Sequence, residues 1–271
     1  MSKAEALYVY CIGGREALAP HAGAGAPEPI EEGAGVELVE AGRLAAAVSH
    51  VPLADYGEGA LETRLTDAAW TATRALRHER VVEHFARRAP VVPLRFGTIY
   101  LRRESIEEML GRDGARLLAL LGRLEGREEW GVNVYVERAR LREEVVRVSA
   151  RLREMAERAA STSPGQGYLL RKKIDALREE EARAETKRVV SEVEARLGRA
   201  SDGAARLRTL RDERAEPGEL AGRFAFLVPR AGFDDFRAEA ERLAAEHAPL
   251  GFSFELTGPW PPYNFVADTA E

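Results

Sequence analysis

The chain of 271 residues contains a single cysteine, Cys11. One thiol excludes an internal disulfide framework and a cysteine-based zinc site. The expected setting is therefore a reducing compartment, the cytoplasm. The opening residues Met1-Ser2-Lys3-Ala4-Glu5 hold no long apolar stretch, so no secretory signal is expected. No run of about 18 apolar residues occurs, so no membrane span is expected either. Lysine is scarce: 36 of the 40 basic residues are arginine. Together with abundant Ala and Gly this reads as a compositional bias rather than a binding code. The formal charge of -5 offers nucleic acid no general attraction.

The common catalytic signatures are missing as well. There is no phosphate-binding loop of the Gly-x-x-x-x-Gly-Lys-Ser/Thr type and no Gly-x-Ser-x-Gly elbow. Gly13-Gly14 and Gly23-Ala24-Gly25 read as turns. His78-Glu79 and Glu83-His84 sit on one expected helix, but the two histidines point to different faces, so they do not form a zinc motif. They are expected as solvated helix positions. His21, His50 and His247 have no ligand partners nearby in sequence. Cys11 reads as a small apolar residue in a buried strand. No catalytic, cofactor-binding or metal-binding residue is expected. Arg171-Lys172-Lys173 is the nearest thing to a phosphate contact, yet Asp175 and Glu179-Glu180-Glu181 follow at once. No nucleic-acid partner is expected.

What is present reads as α+β. Residues 6–12 are β-rich and stop at Gly13-Gly14. Residues 19–35 hold three prolines and several glycines and read as a loop. A hairpin is expected over 36–39 and 43–51, and a helix over 61–88. A short apolar strand, punctuated by proline, follows in Ala89-Pro90-Val91-Val92-Pro93-Leu94-Arg95-Phe96-Gly97. This order suits a ferredoxin-like antiparallel sheet with helices, for which the loop at 15–35 is a poor second helix. A helix is expected over 104–125 and a strand over 130–136. From Glu137 to Glu216 there are 20 basic and 16 acidic residues and one aromatic, Tyr168. Helices over about 138–160 and 166–198 fit this segment, with a further charged helix over 202–214. Their sparse apolar positions form the narrow stripe of a helical hairpin or partner seam. A strand at 223–228, a helix at 233–247 and a strand at 251–257 follow. The expected division is a ferredoxin-like N-terminal domain over 1–102 and a C-terminal α+β domain over 103–271. The second carries the long charged helical hairpin, about 138–215, and a closing Pro/aromatic tail, 258–266.

That tail, Gly258-Pro259-Trp260-Pro261-Pro262-Tyr263-Asn264-Phe265-Val266, is the most informative stretch. Its three prolines fix φ and lack amide donors, and Trp260, Tyr263 and Phe265 need something to pack against. It either closes onto its own domain or presents an ordered surface to a partner.

Four pieces together resemble the gas vesicle protein F/L family. They are Leu7-Tyr8-Val9-Tyr10-Cys11-Ile12, Val92-Pro93-Leu94-Arg95-Phe96-Gly97-Thr98, Gly167-Tyr168-Leu169-Leu170-Arg171-Lys172-Lys173, and the closing run from Leu256 to Val266. The long Gly/Pro loop at 19–35 and the Arg/Ala-rich helices depart from the usual pattern. The resemblance implies a non-enzymatic accessory protein of gas vesicle assembly with a ferredoxin-like N-terminal domain. It implies association with the small hydrophobic shell protein and with other accessory proteins, and no catalytic residues or cofactors. The candidate partner-binding residues are Arg95, Phe96, Trp260, Tyr263 and Phe265, which offer aromatic anchors beside a charge. Blander readings stand beside these: Trp260 and Tyr263 as intramolecular latches, Arg95 paired with a carboxylate, and the charged helices as a solvated lever. An unrelated helical scaffold and an unrecognised cytoplasmic enzyme are the other classes of function.

Overall fold

The computed structural model describes residues 4–208, 214–215 and 218–266. The chain is α+β and divides into two compact units, Met1–Glu128 with Trp260–Glu271, and Glu129–Pro259.

The first unit contains β1 (Glu5–Gly14), α1 (Arg15–Leu18), β2 (Glu37–Ala41), β3 (Leu44–Pro52), α2 (Leu53–Tyr56) and α3 (Ala60–Leu65). It continues through α4 (Ala68–Ala86), β4 (Val91–Pro93), β5 (Ile99–Tyr100), α5 (Arg103–Arg112) and α6 (Gly114–Leu124). The sheet runs β2-β3-β1-β4, with β5 also on β1, and these pairs are antiparallel. This is a ferredoxin-like order in which the first crossover carries a four-residue helix where a full one would stand. The central β1 is buried along nearly its whole length, which explains its continuous apolar run. Tyr8 and Tyr10 share a core with Val81, Val82 and Phe85 of α4. Full burial of one such phenylalanine side chain contributes about 1.5–3 kcal/mol.

The Gly/Pro stretch expected as a loop is pinned rather than loose. Gly23 N–H donates to the Val36 carbonyl at 2.9 Å, and Ile30 N–H donates to the buried Tyr10 hydroxyl at 2.8 Å. Glu31 accepts from Tyr56 at 2.6 Å and from Arg74 at 2.6 and 3.1 Å. The Arg74 guanidinium lies 4.2 Å from the centre of the Trp70 ring.

Two helices expected as continuous are broken in this unit. The 61–88 stretch divides at Asp67, whose carboxylate caps α4 by accepting from Ala69 and Trp70 amides at 3.0 and 3.1 Å. The 104–125 stretch divides at Asp113, within Gly111-Arg112-Asp113-Gly114, where two glycines weaken the helix. Both α5 and α6 pack on the first sheet through Ile106, Leu110 and Leu117. The compact units therefore divide after residue 128, not after 102, and residues 260–266 lie with the first unit.

The second unit begins in β6 (Arg127–Val136) and continues through α7 (Arg138–Val148), α8 (Ala150–Ser161) and α9 (Pro164–Arg199). Then follow β7 (Gly203–Arg206), β8 (Arg214–Ala215), β9 (Gly218–Pro229), α10 (Phe233–His247) and β10 (Phe252–Trp260). The sheet order is β10-β6-β9-β7, with β8 on β9. Val132, Val134, Phe224, Phe226 and Phe252 meet Val189, Val193 and Leu197 of α9 and Phe236 and Leu243 of α10 in one core. The 36-residue α9 is about 54 Å long at 1.5 Å per residue. Its N-terminal half packs on α7 and α8 through the small cluster Val145, Leu152 and Ile174. Ser149 breaks the expected 138–160 helix: its hydroxyl accepts from Leu152 N–H at 3.2 Å and donates to Glu181 at 2.8 Å.

The charged helix expected over 202–214 is not formed. Gly203–Arg206 is a strand antiparallel to β9, and residues 209–213 lie outside the described residues. Sheet pairing overrides the helical propensity of an alanine- and arginine-rich segment.

Candidate functional site

The segment Pro93–Thr98 leaves the sheet in a hydrogen-bonded turn. Pro93 pairs with Cys11 in the β1–β4 register, and Leu94 N–H donates to the Tyr10 carbonyl at 2.9 Å. Thr98 N–H then donates to the Arg95 carbonyl at 3.2 Å. Gly97 sits at φ 86°, a left-handed conformation that glycine adopts without a Cβ penalty. Gly97 N–H donates to the Tyr8 hydroxyl at 3.1 Å. The turn thereby sends Phe96 inward, onto Tyr8 and His78 at 6.2 and 5.9 Å between ring centres. It sends Arg95 outward, exposed and, among the described residues, without an ion pair.

The closing tail approaches the same place. Tyr263–Phe265 forms a single 3-10 turn, held by Phe265 N–H donating to the Pro262 carbonyl at 3.1 Å. The Arg123 guanidinium donates to the Phe265 carbonyl. Tyr263 reaches α4: its hydroxyl lies 3.1 Å from His78 Nε2 and donates to Glu79 at 2.9 Å. On the other side of the ring, His78 Nδ1 is 2.9 Å from the Tyr8 hydroxyl. One proton arrangement satisfies every group. Gly97 N–H donates to Tyr8, Tyr8 O–H to Nδ1, Nε2–H to Tyr263, and Tyr263 O–H to the Glu79 carboxylate.

His78 is therefore neutral and buried, not the solvated helix position expected from sequence. Burial holds its pKa down at about 4. Burial also raises the Glu79 pKa, with Tyr263 opposing it, and raises that of Tyr263, with the Glu79 charge adding to the effect. Sequence reasoning missed this chain because its members come from β1, α4, the 95–98 turn and the tail.

A cleft of about 550 Å³ lies where these pieces meet. Its apolar lining includes Ile12, Leu94, Met109, Leu117 and Val266. Its polar lining includes Arg95, Arg112, Asp113, Arg116, Tyr100 and Tyr263. Arg112 donates to Asp113 at 3.1 Å, and Arg116 stands 3.7 Å from the same carboxylate. Of the five expected contact residues, the structure brings Arg95 and Tyr263 to the cleft. Phe96 packs behind it, and Trp260 and Phe265 are not among its lining residues, Trp260 being exposed. The helix break supplies Arg112 at the end of α5, Asp113 at the junction and Arg116 in α6, which no sequence motif marked.

Among the described residues, one set of histidine and acidic side chains has donor atoms close enough to hold a cation: Glu192, Glu246 and His247. Arg196 already donates to Glu192, Glu239 and Glu246 at 3.2, 2.6 and 2.5 Å, and Arg188 to Glu192 at 2.9 Å. The carboxylates are taken up in an ion-pair network tying α9 to α10, which suits a structural role better than a metal one.

Comparison with known proteins gives one consistent answer. Residues 6–267 match the model of the gas vesicle synthesis protein GvpL/GvpF family. Gas vesicle protein L of Streptomyces sp. (strain CB03234) is 30% identical over 239 residues, covering 86% of this chain and 84% of that one. Gas vesicle protein L2 of Halobacterium salinarum is 28% identical over 182 residues, 65% of this chain and 64% of that one. The crystal structure of GvpF from Microcystis aeruginosa aligns with a TM-score of 0.60 at 16% identity, over 96% of this chain and 98% of that one. GvpF from Anabaena sp. PCC7120 aligns at 0.61 and 17%, over 97% and 96%. These two likenesses concern the fold. Among the described residues no helix is long and apolar enough to cross a membrane. A match running from β1 through the closing tail makes this chain a member of the GvpL/GvpF family of gas vesicle proteins.

Proposed function

We propose that the protein is a non-enzymatic accessory factor of gas vesicle assembly. It binds the small hydrophobic shell protein and other accessory proteins in the cytoplasm, during nucleation or growth of the vesicle, and it works by contact rather than by turnover. The observation that carries this reading is the cleft of the first unit. Two of the motifs that mark the family, Pro93–Thr98 and the closing tail, converge there, with an apolar floor and an exposed arginine that has no ion pair among the described residues. A floor of aliphatic side chains within a polar rim is the anatomy of a protein contact. The hydrogen-bonded chain from Gly97 to Glu79 holds both motifs in fixed positions, so the surface is organised before a partner arrives.

The test is capture of the recombinant shell subunit on the tagged full-length chain. Wild type is expected to retain the subunit, and Arg95→Glu combined with Met109→Glu to lose it while melting at the wild-type temperature. Equal capture by the double variant would place the contact elsewhere.

A further inference from the structure

The charge balance of the cleft points beyond the existence of a contact face to the chemistry of what fills it. Among the described residues three guanidinium groups, Arg95, Arg112 and Arg116, line it against a single carboxylate, Asp113. In a chain of formal charge -5, that is a local reversal of sign. Asp113 is bridged by Arg112 and Arg116, while Arg95 makes no ion pair among the described residues and stands in solvent at the rim. The Arg112 side chain is likewise 70% exposed. A guanidinium is a planar donor suited to a carboxylate. Arg95 can engage a partner's acid without giving up an ion pair to any described residue, and Arg112 can add a second acceptor beside Asp113 through its exposed N–H groups. The floor is different in kind: Ile12, Leu117 and Val266 are buried, and Leu94 and Met109 are half-buried. Such a floor requires aliphatic atoms from whatever enters.

We infer that this cleft takes an acidic, aliphatic-rich peptide segment of a partner protein, one or more carboxylates meeting Arg95 and Arg112 and a Leu- or Ile-type side chain covering the floor. A phosphate-bearing ligand suits the site less well. The Asp113 carboxylate in the lining opposes a dianion, and an apolar floor gives a polyphosphate nothing to bond. A volume of about 550 Å³ falls within the range of pockets that bind small ligands, and also suits a few anchoring side chains. This inference rests on the cleft being the contact face proposed above, and it adds the sign and composition of the partner segment.

The experiment uses the full chain and three short fluorescein-labelled peptides. One is built of Glu-Leu-Leu-Glu blocks, the second has Lys for Glu, and the third has Ser for Leu. Fluorescence anisotropy is read as a function of protein and of salt concentration. The Glu/Leu peptide is expected to bind, more weakly at higher salt, and the other two to bind at least about tenfold less well. Arg95→Glu is expected to weaken the Glu/Leu peptide about tenfold and to strengthen the Lys/Leu peptide. Met109→Ser is expected to weaken the Glu/Leu peptide with no gain for the Lys/Leu one. Equal binding of the Glu and Lys peptides, equal binding of the Leu and Ser peptides, or an unchanged affinity in Arg95→Glu would each overturn the inference. Shell-subunit capture measured on the same variants separates the two claims. Capture lost in the variants with no Glu/Leu peptide binding to wild type removes the acidic assignment and keeps the contact face. Capture unchanged in both variants removes the contact face itself.

Discussion

Tyr263 and His78 are joined side chain to side chain at 3.1 Å across 185 residues of sequence. This bond locks the closing tail to α4 and fixes one wall of the cleft. Tyr263→Phe removes the hydroxyl that both His78 and Glu79 use, leaving a buried N–H and a half-buried carboxylate short of a partner. The expected loss is about 1–3 kcal/mol of unfolding free energy, measured by urea denaturation. A change below a few tenths would mean that the tail is held by packing alone.

The same chain gives the protein an acid sensitivity. Folded His78 titrates near 4, against an ordinary value of 6.5. As pH falls from 6.5 towards 4 the unfolded chain takes up this proton first, so stability declines across that window. The displacement corresponds to about 3 kcal/mol. Glu79 acts oppositely from pH 4.5 upward, because its raised pKa lets the folded state take a proton before the unfolded chain does as pH falls. His84 and His247, also lowered by burial, add to the slope. His78→Gln is therefore expected to flatten, though not abolish, the fall in stability between pH 6.5 and 4. Identical slopes in the two proteins would remove His78 as the cause.

Arg74 and Glu31 make the corresponding tie for the Gly/Pro segment at 19–35. Their two hydrogen bonds are charge-assisted and half-buried. Glu31→Gln is expected to cost about 1–3 kcal/mol and to speed limited proteolysis within residues 22–35. Unchanged cleavage would show that Ile30 and Tyr10 suffice to hold the segment.

Gly167, in the Gly-Tyr-Leu-Leu-Arg-Lys-Lys motif, has a packing reason for being glycine. A Cβ there would stand 2.8 Å from the Ala159 carbonyl oxygen, so α8 and α9 meet backbone to backbone. Helix propensity alone favours Gly167→Ala by about 1 kcal/mol. Overpacking against a backbone atom costs about 1–3 kcal/mol, so the net effect expected is a loss. Hydrogen exchange in α8 is expected to quicken, and slower exchange would contradict the close approach.

Much of this architecture could be read from local patterns. The apolar run Leu7–Ile12 marked a strand, which takes a central place in the sheet, the helical period marked α4 and α10, and the motif opened by Gly167 lies in the first turns of α9. The misses share a cause. Asp67, Asp113 and Ser149 end or restart helices through local polar and glycine chemistry that periodicity averages away. Residues 203–206 pair with β9 against their propensity, because the sheet edge beside Phe224–Leu227 was free to take them. His78 looked like one more polar residue on a charged helix, and Tyr8, Tyr10, Phe96 and the tail's Tyr263, all distant in sequence or on other elements, gather around it. The cleft was half legible: Arg95 and Tyr263 stood in marked motifs, whereas Arg112, Asp113 and Arg116 come from an unmarked helix junction.

Action through the cleft during vesicle formation is the central proposal. Its most direct test is complementation in a vesicle-forming host from which the GvpL/GvpF genes have been removed and this gene supplied. Electron microscopy is expected to find vesicles with the wild-type gene and none, or very few, with the stably folded Arg95→Glu, Met109→Glu protein at equal abundance. Normal vesicles in the double variant would contradict the account.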